Sequence, residues 1–151
     1  MKLIVGSDEA AYDFKEKIKE YLTSEGYEII DKGTYDNRPV LYPDIAVKVA
    51  QAVAEGEADR GILMCGTGIG MSISANKVPG IRAAVCHDCY SAERARKSNN
   101  AQILCMGARV IGLELAKQLA DIWLSCEFSA GRSQPKVDRI AYYDNLYKKR
   151  D

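Results

Sequence analysis

The chain has 151 residues, the size of one ordinary domain, and 47% of them are hydrophobic, which is enough to form a core. Its 21 Lys and Arg residues balance 21 Asp and Glu residues, so the basic excess typical of nucleic-acid-binding proteins is absent. No apolar run reaches the roughly 18 residues of a membrane-spanning helix, and residues 1–8 lack the layout of a signal peptide. We therefore expect a single cytoplasmic domain over residues 1–151 that binds neither nucleic acid nor a membrane.

Five cysteines occur, and an odd number without a signal peptide favours reduced thiols. Cys86 and Cys89 have the CxxC spacing of zinc sites, but no second CxxC or HxxxH accompanies them. His87 is the only histidine in the chain. The pattern therefore predicts thiols packed near a strand end and no metal site, and His87 is interpreted as a structural or surface residue.

Short apolar runs alternate with amphipathic segments along the chain. Strands are predicted at 2–6, 27–31, 61–64, 82–86 and 102–106. Helices are predicted between Asp8 and Gly26, and at 44–54, 71–77, 90–97 and 113–124. This alternation predicts an α/β fold, a Rossmann-like three-layer sandwich whose five-stranded parallel sheet is covered by helices on both faces.

Near the end of the chain, Ile140, Tyr143, Leu146 and Tyr147 form an apolar stripe at helical spacing, after the sheet is complete. Such a C-terminal helix is predicted either to lie at a subunit interface or to pack on its own domain. The basic run at 94–97 is predicted to be a solvated helix face.

The candidate catalytic segment is the turn at 65–72, which connects one predicted strand to the next predicted helix. Ligands of parallel sheets bind beyond the carboxyl ends of the strands. Three alternate glycines let several backbone amides surround one small anion. The start of the helix adds positive potential, which also favours the thiolate form of a nearby cysteine.

These features suit an aldose–ketose isomerisation, in which a proton moves between C1 and C2 through an enediolate. Cys65 is the candidate base, and Thr67 is placed to relay or stabilise the hydroxyl proton. The candidate oxyanion donors are the backbone amides of Gly66, Thr67, Gly68, Ile69 and Gly70. A GxGxxG fingerprint fails because Met71 occupies the third glycine position, and no Gly-Lys-Ser/Thr is present. A purely structural glycine turn remains an alternative.

The stretch at 59–72 resembles the ribose-5-phosphate isomerase B family, which includes the galactose-6-phosphate isomerase subunits. The resemblance continues at 6–8, 42–44, 75–84, 90–92, 99–112 and 131–132. It implies an isomerase without metal or cofactor that acts on a small phosphorylated sugar. It also implies a homodimer or a dimer of dimers in which two subunits share the active site.

The resemblance implies roles for individual residues as well. Cys65 would be the base with Thr67 as its neighbour, and Asn99 would hold the enediolate side. Residues in contact with the rest of the substrate would be Asp8, Tyr42, the anion-hole glycines Gly66, Gly68 and Gly70, and the phosphate-facing Arg109, Arg132 and Lys136.

The chain departs from the family pattern where three histidines are replaced by Glu9, Ser98 and Ser133, and an arginine by Lys136. Ser98 matters most, because the family histidine at this catalytic position is thought to open the furanose ring of the substrate, and serine does not titrate near neutrality. Glu9 is expected to bond sugar hydroxyls or to pair with a basic residue, since a carboxylate repels a phosphate.

A tetrose 4-phosphate needs no ring opening, because phosphate blocks the 4-oxygen that would close the furanose. The segments 91–103 and 130–133 also resemble the tetrose-phosphate branch of the family. The predicted substrate pair is D-erythrulose 4-phosphate and D-erythrose 4-phosphate. Alternatives are a ribose 5-phosphate/ribulose 5-phosphate isomerase and one subunit of a hetero-oligomeric galactose-6-phosphate isomerase. A redox or nucleotide-binding module on the same fold is the alternative from another class.

Overall fold

A computed structural model describes residues 1–148 and contains one five-stranded sheet. All strand pairs are parallel, in the order β2-β1-β3-β5-β4. The strands are β1 (Lys2–Ser7), β2 (Glu28–Asp31), β3 (Arg60–Cys65), β4 (Ala83–Val85) and β5 (Ile103–Gly107). The predicted five-stranded parallel sheet is therefore confirmed.

Residues 1–148 contain six α-helices, five of which cover the sheet. They are α1 (Tyr12–Ser24), α2 (Tyr42–Ala54), α3 (Ile69–Ala75), α4 (Cys89–Lys97), α5 (Leu113–Ser125) and α6 (Ala130–Lys148). Helices α2 and α3 pack on one face of the sheet, and α1, α4 and α5 pack on the other. The predicted three-layer sandwich is confirmed.

The central strands read as continuous apolar runs because both of their faces are buried. In β1, Leu3 and Val5 join the core beneath α1, α4 and α5, while Ile4 joins the core beneath α2 and α3. In β3, Met64 and Cys65 divide between the two cores in the same way. Strand alternation thus sends the Cys65 side chain toward the α2 and α3 layer.

Two helices next to the predicted turn begin earlier than the sequence pattern indicates. Helix α3 starts at Ile69 instead of residue 71. Gly68, its N-cap, has a φ of +78°, and this left-handed conformation reverses the chain direction so that the helix can begin at the next residue. Ile69 and Gly70 therefore belong to the first helical turn. Helix α2 starts at Tyr42, with Pro43 in its first turn, where proline is favoured.

The last helix, α6, bends at Gly131 and buries only one residue, Val137. Its apolar side chains are exposed, including Ile140, Tyr143 and Leu146, each at least 44% accessible. The stripe therefore packs on its own domain only in part: Ile140 lines a cleft with Ile81 and Ala83, and about half of each side chain remains exposed. None of the helices in residues 1–148 combines the length and hydropathy that crossing a membrane requires.

Candidate active site

The predicted turn lies at the carboxyl edge of the sheet, between β3 and α3. Cys65 ends β3 and is 5% exposed, and its Sγ accepts a hydrogen bond of 3.1 Å from the Gly68 amide. The Thr67 Oγ1 accepts a hydrogen bond of 3.3 Å from the Ile69 amide. The Gly68 and Ile69 amides, predicted as oxyanion donors, therefore already donate to side chains of the turn.

The end of β5 holds this turn from the neighbouring strand. The amide of Ala108 donates to the Cys65 carbonyl at 2.9 Å, and the amide of Arg109 donates to the Gly66 carbonyl at 3.0 Å. Gly107 pairs with Cys65 in the ladder, and a Cβ on Gly107 would lie 2.7 Å from the Thr67 backbone. The two backbones can approach this closely only because Gly107 has no side chain.

A Gly107→Ala variant is expected to displace the Thr67 backbone, because real Cβ atoms do not approach backbone atoms to 2.7 Å. We expect a loss of at least about tenfold in kcat, since small displacements of catalytic groups are costly. The matched control is Gly112→Ala, where φ is −80° and no atom lies within 4 Å of the added Cβ. Steady-state kinetics of both variants decide the matter: equal rates for the two would contradict this account of Gly107.

Two side chains form walls around the turn. The Arg109 guanidinium covers Gly66, where a Cβ would lie 3.3 Å from an Nη atom. The Tyr42 ring, at the start of α2, covers Gly70 within 2.5 Å of the position that a Cβ would take. The structure therefore brings the predicted binding residues Tyr42 and Arg109 to the same turn as Cys65.

Asp8 and Glu9 lie at the same edge, just after β1. The Asp8 Oδ1 caps a short 3-10 helix, Glu9–Ala11, by accepting the Ala11 amide at 3.1 Å. Partial burial raises the pKa of the Asp8 carboxyl above its usual range, and the adjacent Glu9 carboxylate acts in the same direction. Glu9 accepts the Val40 amide at 3.2 Å, so its carboxylate holds the loop before α2. That backbone contact was not among the expectations for Glu9.

Ser98 and Asn99 lie at the opposite edge of the sheet. Helix α4 starts beyond the carboxyl end of β4 and runs back along the sheet, so Ser98, its C-cap, lies before the start of β5. The strands between the two edges have five or six residues, which corresponds to roughly 15–20 Å. One chain therefore does not bring Ser98 or Asn99 to Cys65.

Arg132 and Lys136 lie at the same edge as Ser98 and Asn99, where the strands begin, which we call the amino edge. They lie near the start of α6, and the amide of Ser129, just before α6, donates to the Lys97 carbonyl at 3.0 Å. The predicted site residues thus form two groups on opposite edges. The carboxyl-edge group contains Asp8, Glu9, Tyr42, Cys65, Gly66, Thr67, Gly68, Ile69, Gly70 and Arg109, and the amino-edge group contains Ser98, Asn99, Arg132 and Lys136.

The residue after Asn99 has an unusual backbone. Asn100 has a φ of +50°, the only positive φ among non-glycine residues in the described part of the chain. The Arg82 Nε donates to the Asn100 carbonyl at 2.9 Å, and an Nη of Arg96 donates to the Asn100 Oδ1 at 3.1 Å. Arg96 is only 6% exposed, so the prediction of a solvated basic face was wrong at this position. The two arginines fix the loop that carries Asn99.

His87 lies at the carboxyl edge, at the end of the strand next to β5, and was not among the predicted site residues. Its Nε2 accepts a hydrogen bond of 2.8 Å from the Gly107 amide. The available signal was its position just after a predicted strand, the same kind of position that Cys65 occupies. The two flanking cysteines, Cys86 and Cys89, are free, as predicted from the odd number.

The chain is similar to known proteins over nearly its whole length. Residues 3–140 match the family described as Ribose/Galactose Isomerase. The chain is 53% identical over 150 residues to the D-erythrulose-4-phosphate isomerase of Pectobacterium atrosepticum, with 98% of each chain covered. It is 55% identical over 144 residues to the Ribose-5-P isomerase B of Listeria innocua, covering 95% of this chain and 97% of that one.

A solved structure has the same fold. The ribose-5-phosphate isomerase B of Clostridium thermocellum superposes with a TM-score of 0.96 at 51% identity, covering 97% of this chain and 99% of that chain. The similarity therefore includes both edges of the sheet and both groups of site residues.

Proposed function

We propose that Cys65 is the base that moves the proton in the reaction of this enzyme. The chain belongs to the Ribose/Galactose Isomerase family and is a sugar-phosphate isomerase of the ribose-5-phosphate isomerase B type. The observation that carries this proposal is the position of the Cys65 thiol. Sγ accepts the Gly68 amide within a turn of three glycines, and the same turn is covered by the Tyr42 ring at Gly70 and by the Arg109 guanidinium at Gly66. A proton-transferring group has to lie in the same pocket as the groups that bind and polarise the substrate.

In the proposed reaction the Cys65 thiolate removes the proton from C2 of the open-chain aldose. The electron pair of that C–H bond forms the C1–C2 double bond, and the carbonyl electrons move to O1 to give the cis-enediolate. The thiol then returns the proton to C1 while the hydroxyl proton of O2 transfers to O1, which leaves a ketone at C2. Thr67, within the turn, and Arg109, which covers Gly66, are the proposed partners of the negative charge that develops on O1.

The complete active site is proposed to form between two copies of the chain. Asn99, Arg132 and Lys136 lie at the amino edge, too far from their own Cys65 to act with it. The carboxyl edge carries the carboxylates of Asp8 and Glu9, so a basic amino edge from a second copy complements it. The exposed apolar face of α6 is the proposed contact between the copies, as a homodimer or a dimer of dimers.

The proposed substrate pair is D-erythrulose 4-phosphate and D-erythrose 4-phosphate. Overall identity does not choose between sugars, because relatives at 53% and 55% identity are named for a tetrose and a pentose phosphate. Ser98 favours the tetrose, since ring opening needs a group that transfers a proton between the ring oxygen and the anomeric hydroxyl. A tetrose 4-phosphate cannot close a furanose, so Ser98 suffices.

The two sugars are separated by kinetics on the purified chain. We expect kcat/KM for erythrulose 4-phosphate to exceed that for ribose 5-phosphate by at least about tenfold. A Ser98→His variant is expected to raise the rate on ribose 5-phosphate and to leave the rate on the tetrose unchanged. A higher kcat/KM of the unmodified chain for ribose 5-phosphate would reject the tetrose assignment and favour the pentose alternative.

A galactose-6-phosphate isomerase subunit is the remaining candidate. It predicts no activity of the isolated chain on any sugar phosphate, and activity only after a second, unlike chain is added. Cys65, Thr67, Asn99 and Arg132 are all present in this chain, which argues against an incomplete subunit.

A further inference from the structure

The only histidine of the chain holds the end of the strand that supports the reactive turn. His87 follows β4, and its Nε2 accepts the Gly107 amide at 2.8 Å. A ring nitrogen that accepts a hydrogen bond carries no proton, so this contact requires the neutral ring with its proton on Nδ1.

Gly107 is the first of three consecutive residues that fix the turn. Its own backbone packs against Thr67, while the next two amides bond the carbonyls of Cys65 and Gly66. The Arg109 side chain, which covers Gly66, extends from the last of the three. A shift of Gly107 would therefore reach Thr67, the Cys65 backbone and Arg109 together.

We propose that neutral His87 is a positioning residue of the isomerase, which acts through the Gly107 amide to hold Thr67 and Arg109 in place. This inference rests on the proposed function of the turn. A protonated ring would present N–H donors on both nitrogens, and the Gly107 amide would then face a donor instead of an acceptor. Protonation of His87 would release Gly107 and lower the rate.

The surroundings of the ring favour its neutral form. Partial burial lowers the pKa of His87 below its usual value of 6.5, against the opposing influence of the adjacent Asp88 carboxylate. Gly107, which faces the ring from β5, contributes a backbone amide and no charge. Because the unfolded chain binds the proton more readily, the free energy of unfolding should fall as the pH drops below about 6.5.

Two variants separate positioning from a general structural role. His87→Gln keeps a carbonyl acceptor near the place of Nε2 and does not titrate, whereas His87→Ala removes the acceptor. At pH 8 we expect His87→Gln to stay within about threefold of the unmodified chain, and His87→Ala to lose roughly tenfold or more in kcat while remaining folded by circular dichroism. At each pH, kcat of the unmodified chain is divided by kcat of His87→Gln. Titration of the substrate phosphate affects both rates equally and drops out of this ratio.

That ratio is expected to be constant above pH 7 and to fall as the pH is lowered toward 5. A ratio independent of pH, or full activity of His87→Ala, would overturn the proposal. NMR titration gives a readout without catalysis: the Gly107 amide shift should follow His87 protonation in the unmodified chain and should not titrate with that profile in His87→Gln. If the chain lacks isomerase activity but the Gly107 amide still follows His87 protonation, the proposed function is rejected and the contact between His87 and Gly107 stands. If the chain is active but the Gly107 amide does not follow His87 protonation, only the positioning role of His87 is rejected.

Discussion

Cys65→Ala is expected to lower kcat by at least about a hundredfold, the usual scale for a missing acid–base group. The thiol is nearly buried, and the Gly68 amide donates to its Sγ. Rates on erythrulose 4-phosphate and ribose 5-phosphate measure the loss.

Two further variants show whether the loss is chemical. Cys65→Ser keeps an acceptor for the Gly68 amide, but its hydroxyl is a much weaker acid than a thiol, so it is also expected to be inactive. Cys126→Ala is the matched control, because Cys126 is similarly buried but follows α5 at the other edge of the sheet. Turnover by Cys65→Ala at the rate of the control would exclude Cys65 as the base.

The fold could be predicted from the sequence because its signals are local and agree with one another. Buried parallel strands give apolar runs, and helices that cover them give stripes at helical spacing. The errors lie at element ends: α3 begins at Ile69, because the conformation of Gly68, which ends the turn, is not encoded in hydrophobic periodicity. The short 3-10 helix Glu9–Ala11 has too few residues to show a period.

The residues of the candidate site could be named from the sequence, but their separation into two edges follows only from topology. Cys65 ends a strand, whereas Asn99 comes just before one, and in a parallel sheet these two positions lie on opposite edges. His87 and Arg96 illustrate what a pattern of residue types does not contain. Their roles depend on particular contacts: His87 accepts the Gly107 amide from a segment distant in sequence, and Arg96 donates to Asn100 and Ala101 across a helix end.

Mixing two inactive variants tests whether two copies share the site. In Cys65→Ala the amino edge is intact, and in Asn99→Ala the carboxyl edge is intact. We expect each variant alone to lose about a hundredfold or more, the scale for a missing base or enediolate donor. If the edges of two copies meet, a mixed dimer holds one site with both groups present and one site with both missing.

Co-refolding equal amounts of the two variants should therefore restore about a quarter of the unmodified activity, since half of the dimers are mixed and each has one complete site. Mixing Cys65→Ala with the double variant Cys65→Ala/Asn99→Ala provides the control, which contains no complete site in any combination. Native mass spectrometry counts the mixed dimers. Abundant mixed dimers without recovered turnover would mean that Asn99 does not act with the Cys65 of a second copy. Recovery would explain why the chain keeps basic residues at the amino edge, roughly 15–20 Å from its own thiol.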